Sequence, residues 1–221
     1  MPTYLVTGSS RGIGLEYCRQ LQQRGDEVIA VCRSVTDEIK SLNVETIAGI
    51  DITSDEAVAK LTQQVGDRPL DVLINNAGIV ERFGLTDLNL DSIRRQFEAN
   101  AIGTLRVIRA LLNNLKNGSK IAIMTSRMGS IEDNTSGNSY GYRMSKVAVS
   151  MAGKSLSLDL KPRGISVAIL HPGLVQTRMT NFTNSGITPE TSVKGLLDRI
   201  DELTLENTGT FWHANGEILP W

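Results

Sequence analysis

Strand-length apolar runs rich in valine and isoleucine alternate with longer segments of helical period along the whole chain. Such alternation indicates βαβ units, in which crossover helices join parallel strands. Near-continuous apolarity within the runs is typical of strands that helices cover on both faces. The predicted strands are Thr3 to Thr7, Glu27 to Cys32, Val44 to Ile50, Asp71 to Asn76, Lys120 to Ser126, Ile165 to His171 and Gly209 to His213. The sequence therefore predicts an α/β fold around a parallel sheet of about seven strands.

Length and charge limit the class of protein. The 221 residues suffice for one well-buried domain and are few for two, so we expect a single domain over residues 1–221. A formal net charge of −1 lacks the basic excess that nucleic acid or an anionic membrane surface would favour, and no apolar run has membrane-spanning length. The opening MPTYLVTG has no signal-peptide pattern, so we expect a cytoplasmic protein. Cys18, Cys32, His171 and His213 show no metal-ligand spacing, and no metal site is expected.

A glycine-rich turn, TGSSRGIG at Thr7 to Gly14, joins the first strand to a helical segment. Its glycines permit a tight turn and close approach of the backbone to a pyrophosphate, whose charge the N–H groups of a helix N-terminus bind. Ordinary strand-to-helix turns also use glycine, so the interpretation depends on the position of the turn after the first strand. In that position it predicts a Rossmann-type, doubly wound sheet with a dinucleotide site. The spacing is TGxxxGxG rather than GxGxxG.

The stretch YGYRMSK contains two tyrosines and one lysine. Residues four apart share one face of a helix, so Lys146 lies with Tyr142 and not with Tyr140. A nearby ammonium favours the phenolate and lowers the pKa of a tyrosine from about 10, which suits an acid–base catalyst. For this heptapeptide alone, a tyrosine and a lysine side by side on a helix surface is the more common arrangement.

Four motifs in matching order resemble the short-chain dehydrogenase/reductase family: TGSSRGIG, NNAG at Asn75 to Gly78, the YxxxK of Tyr142 and Lys146, and HPGLVQT at His171 to Thr177. RMSK followed by KSLSLDL is similar to the branch that includes C-factor and sniffer-type carbonyl reductases. The resemblance implies an NADPH-dependent carbonyl reductase or alcohol dehydrogenase that transfers hydride reversibly between nicotinamide C4 and a ketone or aldehyde. The alternative is an NADP-binding regulatory or cell-signalling protein of the C-factor kind. The family resemblance also implies a homodimer or homotetramer, whose interface is commonly formed by the helix that begins near Tyr142.

The resemblance implies four catalytic residues, Asn100, Ser126, Tyr142 and Lys146. Tyr142 would protonate the nascent alkoxide, and Lys146 would lower its pKa and bind the nicotinamide ribose. Ser126 would hold the substrate oxygen, and Asn100 would hold a water that connects Lys146 to solvent. Ser126 precedes Tyr142 by 16 positions, more than is usual in the family, which an insertion within residues 131–139 explains. Ser130 is the alternative hydroxyl.

Charge at the end of the second strand predicts the cofactor. An NAD-selective site carries an acidic residue there, but VCRS has Cys32 at that position and Arg33 after it. Arg11 can approach a 2′-phosphate from the glycine turn, so NADP(H) is favoured over NAD(H). Both arginines are alternatively solvated surface charges. Asp51 resembles the family aspartate that meets the adenine ring and is alternatively a turn aspartate.

Further positions follow from the same resemblance. The predicted cofactor contacts are Gly8, Ser10, Arg11, Gly12, Ile13, Gly14, Arg33, Asp51, Ile52, Asn75, Ala77, Gly78, Tyr142, Lys146, Pro172, Gly173, Val175 and Thr177. A predicted apolar substrate pocket comprises Ile79, Met128, Tyr140, Met179 and Phe182, each of which is alternatively core or lid packing. The aromatic segment GEILPW leaves three roles open for Trp221: pocket lid, interface or surface.

Overall fold

Seven parallel strands form one sheet in the order β3-β2-β1-β4-β5-β6-β7 in the computed structural model, which describes residues 1–221. The strands are β1 (Thr3–Thr7), β2 (Glu27–Val31), β3 (Glu45–Ile47), β4 (Leu70–Asn75), β5 (Leu115–Met124), β6 (Ser166–His171) and β7 (Phe211–His213). The helices are α1 (Gly12–Gln23), α2 (Asp37–Ser41), α3 (Asp55–Val65), α4 (Leu90–Phe97), α5 (Gly103–Ala110), α6 (Tyr140–Asp159) and α7 (Pro189–Asp201). The predicted α/β fold with a doubly wound parallel sheet is confirmed.

Apolar side chains cover both faces of the sheet. Adjacent strand residues point to opposite faces, so Leu5 and Val6 of β1 enter different clusters of 22 buried residues each. On the Val6 face the sheet packs against α1 and α7, and on the Leu5 face it packs against α3, α5 and α6. Burial on both faces is the physical reason for the near-continuous apolar runs in the sequence. No helix is both long and apolar enough to cross a membrane.

Short signals in the sequence set the ends of the elements. Gly66 ends α3 at a φ of 60°, and the Thr188 side chain caps α7 by accepting from Thr191 N, with Pro189 at the first helical position. β3 ends earlier than the predicted Ile50, because the chain turns at Gly49, where φ is 77°.

A π-helical turn, Glu98–Ile102, joins α4 to α5 without a break. Asn100 lies at its centre and is buried. Such turns occur as single irregularities within α-helices, frequently at functional sites. The turn directs Asn100 toward the segment that follows β4.

Candidate active site

The glycine turn forms a cradle at the C-terminal end of β1. Gly8 and Gly12 adopt φ values of 68° and 56°, which other residues rarely adopt. A side chain at Gly14 would collide with the carbonyl oxygen of Gly8 and lie 2.6 Å from Nδ2 of Asn76. The turn can therefore be built with glycine at these positions and with little else.

The N-terminus of α1 is open toward this cradle. Arg11 is the capping residue, but its side chain makes no capping hydrogen bond. The first bond of the helix runs from Leu15 N to Arg11 O, so the N–H groups of Gly12, Ile13 and Gly14 have no acceptor within the helix. Free N–H groups at the positive end of a helix fit a pyrophosphate.

Thr7 and Asn76 tie this turn to the NNAG segment, and sequence reasoning missed both. The Asn76 amide donates to the carbonyl oxygens of Thr7 and Gly8 at 3.0 and 3.2 Å, and Thr7 Oγ1 accepts from the N–H groups of Asn76 and Ala77. The predicted neighbour, Asn75, is buried, and both polar atoms of its side chain lack a protein partner. The sequence has two adjacent asparagines here, and Asn75 rather than Asn76 was predicted to contact the cofactor.

Arg33 and Asp51 lie together beyond β2 and β3. Nη1 of Arg33 is 3.9 Å from Oδ2 of Asp51, and the Arg33 side chain is 64% exposed. Oδ1 of Asp51 accepts from the N–H and hydroxyl of Thr53, whose backbone bond is the main cause that lowers the pKa of Asp51. Asp51 thus closes a turn with one oxygen and leaves the other beside Arg33. Ile52, the next predicted cofactor contact, is buried. Its side chain packs against α5, and its carbonyl oxygen accepts from Arg106.

Asn100 holds the segment after β4 close to α6. Its Oδ1 accepts from Ile79 N at 2.8 Å, and its Nδ2 donates to Ile79 O and to Ser145 Oγ, each at 2.9 Å. A Cβ at Gly78 would lie 3.0 Å from Asn100 Oδ1 and 3.7 Å from Lys146 Nζ. Because Gly78 has no side chain, Asn100 and Lys146 can both lie close to its backbone.

Tyr142 and Lys146 are both buried on one face of α6. The Lys146 ammonium lies 5.7 Å from the centroid of the Tyr142 ring and donates a hydrogen bond of 2.9 Å to Met124 O, at the end of β5. Burial lowers the pKa of Lys146 to about 8. A lysine that merely lies along a helix surface would be solvated, so the surface alternative is wrong here.

The pKa of Tyr142 has causes beyond the neighbouring lysine. Burial raises the pKa of Tyr142 above its ordinary value, and the nearby Ser126 hydroxyl and the positive charge of Arg82 act in the opposite direction. The lowering of this pKa by Lys146 stays a prediction, and the Lys146 ammonium itself bonds Met124 O. Arg82 was missed, since no motif marks it.

Ser126 and Ser130 have different surroundings. Ser126 begins a short 3₁₀ turn, accepts from Met128 N at 3.1 Å, and also interacts with Tyr142. Ser130 Oγ instead accepts from Asp133 N at 3.1 Å and so closes a turn in the following loop. Of the two hydroxyls, Ser126 is therefore the one beside the phenol.

The segment after β6 returns to the glycine turn. Pro172 O accepts from Ser192 of α7 at 2.7 Å, and Gly173 has a φ of 84°. Val175 is buried and pairs with Ile187. A Cβ at Gly12 would meet Thr177 Cγ2 at 3.5 Å. Thr177 and the first turn of α1 thus form two sides of one crevice at the carboxyl end of the sheet, where doubly wound folds bind ligands.

His171 and His213 pack edge to face at the ends of β6 and β7, with ring centroids 5.0 Å apart. Burial is the main cause that lowers the pKa of His171 to about 3, and the neighbouring His213 adds to it. His171 is therefore neutral at physiological pH. No three His, Cys, Asp or Glu side chains are grouped to hold a metal ion.

Two of the five residues of the predicted apolar pocket line one cavity. Met128 and Tyr140 line a cavity of about 190 Å³ together with Ile131, Met144 and Val147. Neither Tyr142 nor the predicted pocket residues Ile79, Met179 and Phe182 line it. Tyr140 and Met128 thus share one cavity with residues of the loop before α6, and the substrate pocket of all five residues stays a prediction.

A doubly wound sheet with a glycine turn at β1 and a buried tyrosine–lysine pair on α6 defines a nucleotide-binding oxidoreductase fold. The profile of the family described as short chain dehydrogenase matches residues 2–188. The chain belongs to the short-chain dehydrogenase/reductase family, as the motifs predicted.

Relatives and solved structures agree with this assignment. The chain is 41% identical to a 1-hydroxy-2-glutathionyl-2-methyl-3-butene dehydrogenase of Rhodococcus sp. (strain AD45) over 226 residues, which covers 100% of both chains. It is 45% identical to the C-signal of Myxococcus xanthus over 69% of this chain and 93% of that protein. Among solved structures, the NADPH-bound carbonyl reductase from chicken fatty liver has a TM-score of 0.92 at 27% identity, covering 100% of this chain and 99% of that one. The carbonyl reductase Sniffer of D. melanogaster has a TM-score of 0.90 at 29% identity and 100% coverage of both.

Proposed function

We propose that the protein is an NADPH-dependent carbonyl reductase that also oxidises the corresponding alcohol. One observation carries the proposal: a phenol and an ammonium, Tyr142 and Lys146, are buried together beside the Ser126 hydroxyl at the crevice. Burying an ammonium is costly, and a protein that only binds a dinucleotide has no need of an acid beside it.

A phenol is protonated at neutral pH, and burial shifts the pKa of Tyr142 further in the same direction. A protonated phenol is the form that reduction needs, because the alkoxide formed from a carbonyl must receive a proton. The Ser126 hydroxyl donates to the same oxygen and stabilises its developing negative charge. The nicotinamide cofactor, when bound, supplies the hydride.

Lys146 would also bind and orient the cofactor. An ammonium has three N–H donors, and Met124 O takes one of them. The remaining donors would be free to bind the hydroxyls of the nicotinamide ribose. The carbonyl oxygen of Met124 thus fixes Lys146 before the cofactor arrives, which reduces the entropy lost on binding.

NADP(H) is the proposed cofactor. The exposed Arg33 and the exposed Arg11 at the N-terminus of α1 provide positive charge on the β2 side of the cradle. Arginine pairs with phosphate through two parallel hydrogen bonds, so Arg33 would select a 2′-phosphate over a hydroxyl. The carbonyl reductase from chicken fatty liver is a structure with NADPH bound, which supports the same choice.

The predicted assembly is a homodimer or homotetramer. Apolar side chains on the outer faces of α5 and α6 are exposed, among them Leu105 at 40%, Met151 at 65% and Leu158 at 62%. Large apolar side chains exposed on helix surfaces favour burial against another chain. We propose that a second copy covers them.

The test is consumption of NADPH and of NADH by the purified protein with a panel of ketones and aldehydes. Tyr142→Phe removes the acid and should lower kcat by about 10²- to 10⁴-fold while leaving the Kd for NADPH within about twofold of wild type. Tyr140→Phe is the matched control, since Tyr140 begins the same helix and lines a cavity that Tyr142 does not line, and it should keep wild-type turnover. Equal loss of turnover in both variants would contradict the proposal.

A regulatory or signalling protein is the second candidate, because of the 45% identity to the C-signal of Myxococcus xanthus. It predicts tight binding of NADPH without turnover of any carbonyl in the panel. Under that outcome, Tyr142→Phe and wild type would be indistinguishable in every kinetic measurement.

A further inference from the structure

We propose that the segment Glu217–Trp221 is a strap that fixes the loop at residues 127–139 and, through that loop, positions the Ser126 hydroxyl for the substrate. The positioning part of this inference rests on the proposed reductase activity. The strap itself rests on contacts that are independent of that activity.

One side of the strap is anchored to the edge of the sheet. After β7 the chain turns back, so that His213 N donates to Glu217 O and Leu219 N donates to Phe211 O, both at 2.8 Å. Leu219 is buried in a small cluster with Ile169 and Phe211. Two backbone bonds and a buried leucine make this side a fixed extension of β7.

The other side of the strap reaches the loop. Trp221 O accepts from Glu132 N at 2.9 Å, and the Trp221 ring stacks on Phe211 with centroids 5.6 Å apart and an interplanar angle of 27°. The stack holds Trp221 in place, since a stacked aromatic pair is more stable than burial of its surfaces alone would make it. Glu132 is thereby tied to β7, although it is far from β7 in sequence.

Arg127 joins the strap to the catalytic hydroxyl. Its Nε is 2.6 Å from Asp133 Oδ2 in the loop, and its Nη2 is 3.3 Å from Glu217 Oε1 in the strap. Arg127 directly follows Ser126, in the 3₁₀ turn that Ser126 caps. Movement of the Arg127 backbone therefore changes the direction of the Ser126 hydroxyl.

The loop needs such support because its end is strained. Asn138 and Ser139 adopt φ values of 61° and 50° immediately before α6. Such backbone is unfavourable for residues other than glycine and persists only when surrounding contacts determine it. Arg143 of α6 supplies some of these contacts, donating to Gly137 O, Asn138 O and Ser136 Oγ. The strap supplies further contacts nearer the start of the loop, at Glu132 directly and at Asp133 through Arg127.

The experiment compares Arg127→Met and Trp221→Ala with wild type, each with NADPH bound. Hydrogen exchange measured by mass spectrometry on peptides covering residues 128–139 should become about tenfold faster in both variants, because the local opening of the loop costs less. With a carbonyl substrate, kcat and kcat/KM should both fall about tenfold while KM stays the same. The Kd for NADPH should stay within about twofold. Trp221→Phe keeps the stack and should restore both exchange and kcat.

Arg94→Met is the matched control. Arg94 also pairs with a carboxylate, Asp91, but on the exposed surface of α4, and its loss should leave the loop peptides unchanged. Unchanged loop exchange in Arg127→Met and Trp221→Ala would overturn the strap, whatever the activity. Faster exchange with an unchanged kcat would overturn the positioning role. A wild-type protein without turnover would overturn the reductase and the positioning role together, and loop exchange would still decide the strap.

Discussion

Met124 O accepts a hydrogen bond of 2.9 Å from the ammonium of Lys146, two residues before Ser126. Residues from β5 and α6 are thus joined by a buried charge whose pKa is lowered to about 8. An unfolded lysine titrates near 10.4, so between these values the unfolded chain binds a proton that the folded chain has released.

Lys146 is therefore expected to make stability depend on pH. The folded-state pKa is below the unfolded one, so the penalty for burying the charge is complete below about pH 8 and shrinks as pH rises toward 10.4. The free energy of unfolding of the ligand-free wild type, relative to Lys146→Met, should rise by about 2 kcal/mol between pH 7 and pH 9.5. Urea unfolding at both pH values measures this. A difference that falls with pH would contradict the lowered pKa.

Arg82 is expected to set the pH dependence of turnover. Its positive charge lowers the pKa of Tyr142 against the effect of burial, and its side chain reaches toward Met179 O at 3.5 Å. Alcohol oxidation needs the phenolate, so kcat/KM in that direction rises with pH through this pKa. Arg82→Gln should shift the pH profile to higher pH, whereas Arg82→Lys keeps the charge and should retain the wild-type profile. Identical profiles in all three proteins would exclude Arg82 from this role.

Ser126 and Ser130 are expected to separate clearly in kinetics. Ser126→Ala removes a donor to the substrate oxygen and should lower kcat by about 10²-fold, as losses of oxyanion donors do. Ser130→Ala removes the acceptor for Asp133 N, which should cost about 1 kcal/mol of stability and little turnover. Steady-state kinetics and thermal unfolding of both variants measure the two effects. A larger loss of kcat in Ser130→Ala would reverse the assignment.

Arg33 is expected to select the cofactor. Arg33→Gln removes the guanidinium beside Asp51 and should weaken NADPH binding by about ten- to hundredfold, because a hydrogen bond to a charged group is worth about 1.5–3 kcal/mol. NADH carries no 2′-phosphate, so its Kd should stay within about twofold. Titrations by nicotinamide fluorescence, with Arg94→Gln as the control for an exposed arginine, would measure both. Equal weakening of NADPH and NADH would place Arg33 outside the 2′-phosphate site.

The fold was predictable because its signals are local. Hydrophobic runs such as those of β4 and β6, and caps such as Thr188, depend on neighbouring residues in sequence. The glycine turn could be read for the same reason, since steric limits on φ act on single residues. Even here β5 begins at Leu115, ahead of the predicted Lys120, because a register shift lets Leu115 pair with Leu70.

The hydrogen bonds of the candidate site were not predictable, because they join residues far apart in sequence. Asn76 and Thr7 are separated by 69 positions, and Asn100 and Ser145 by 45. The direction of the Tyr142 pKa also depends on burial, which is a property of the whole fold. A heptapeptide can show that Lys146 is close to Tyr142, but not which acceptor the ammonium chooses.

The π-helical turn at Glu98–Ile102 changes the helical register midway between Leu90 and Ala110. A π turn holds one residue more than an α turn, so the faces of α4 and α5 are rotated relative to each other. α4 can therefore face α6, while α5 faces α3 and the core. Removing a single residue from the turn would place the apolar faces of α4 and α5 on one side of a continuous helix. Asn100 would then no longer hold the segment that contains Gly78. The one extra residue of the π-helical turn therefore sets the rotation between α4, which packs against the helix of Tyr142 and Lys146, and α5, which packs against the core.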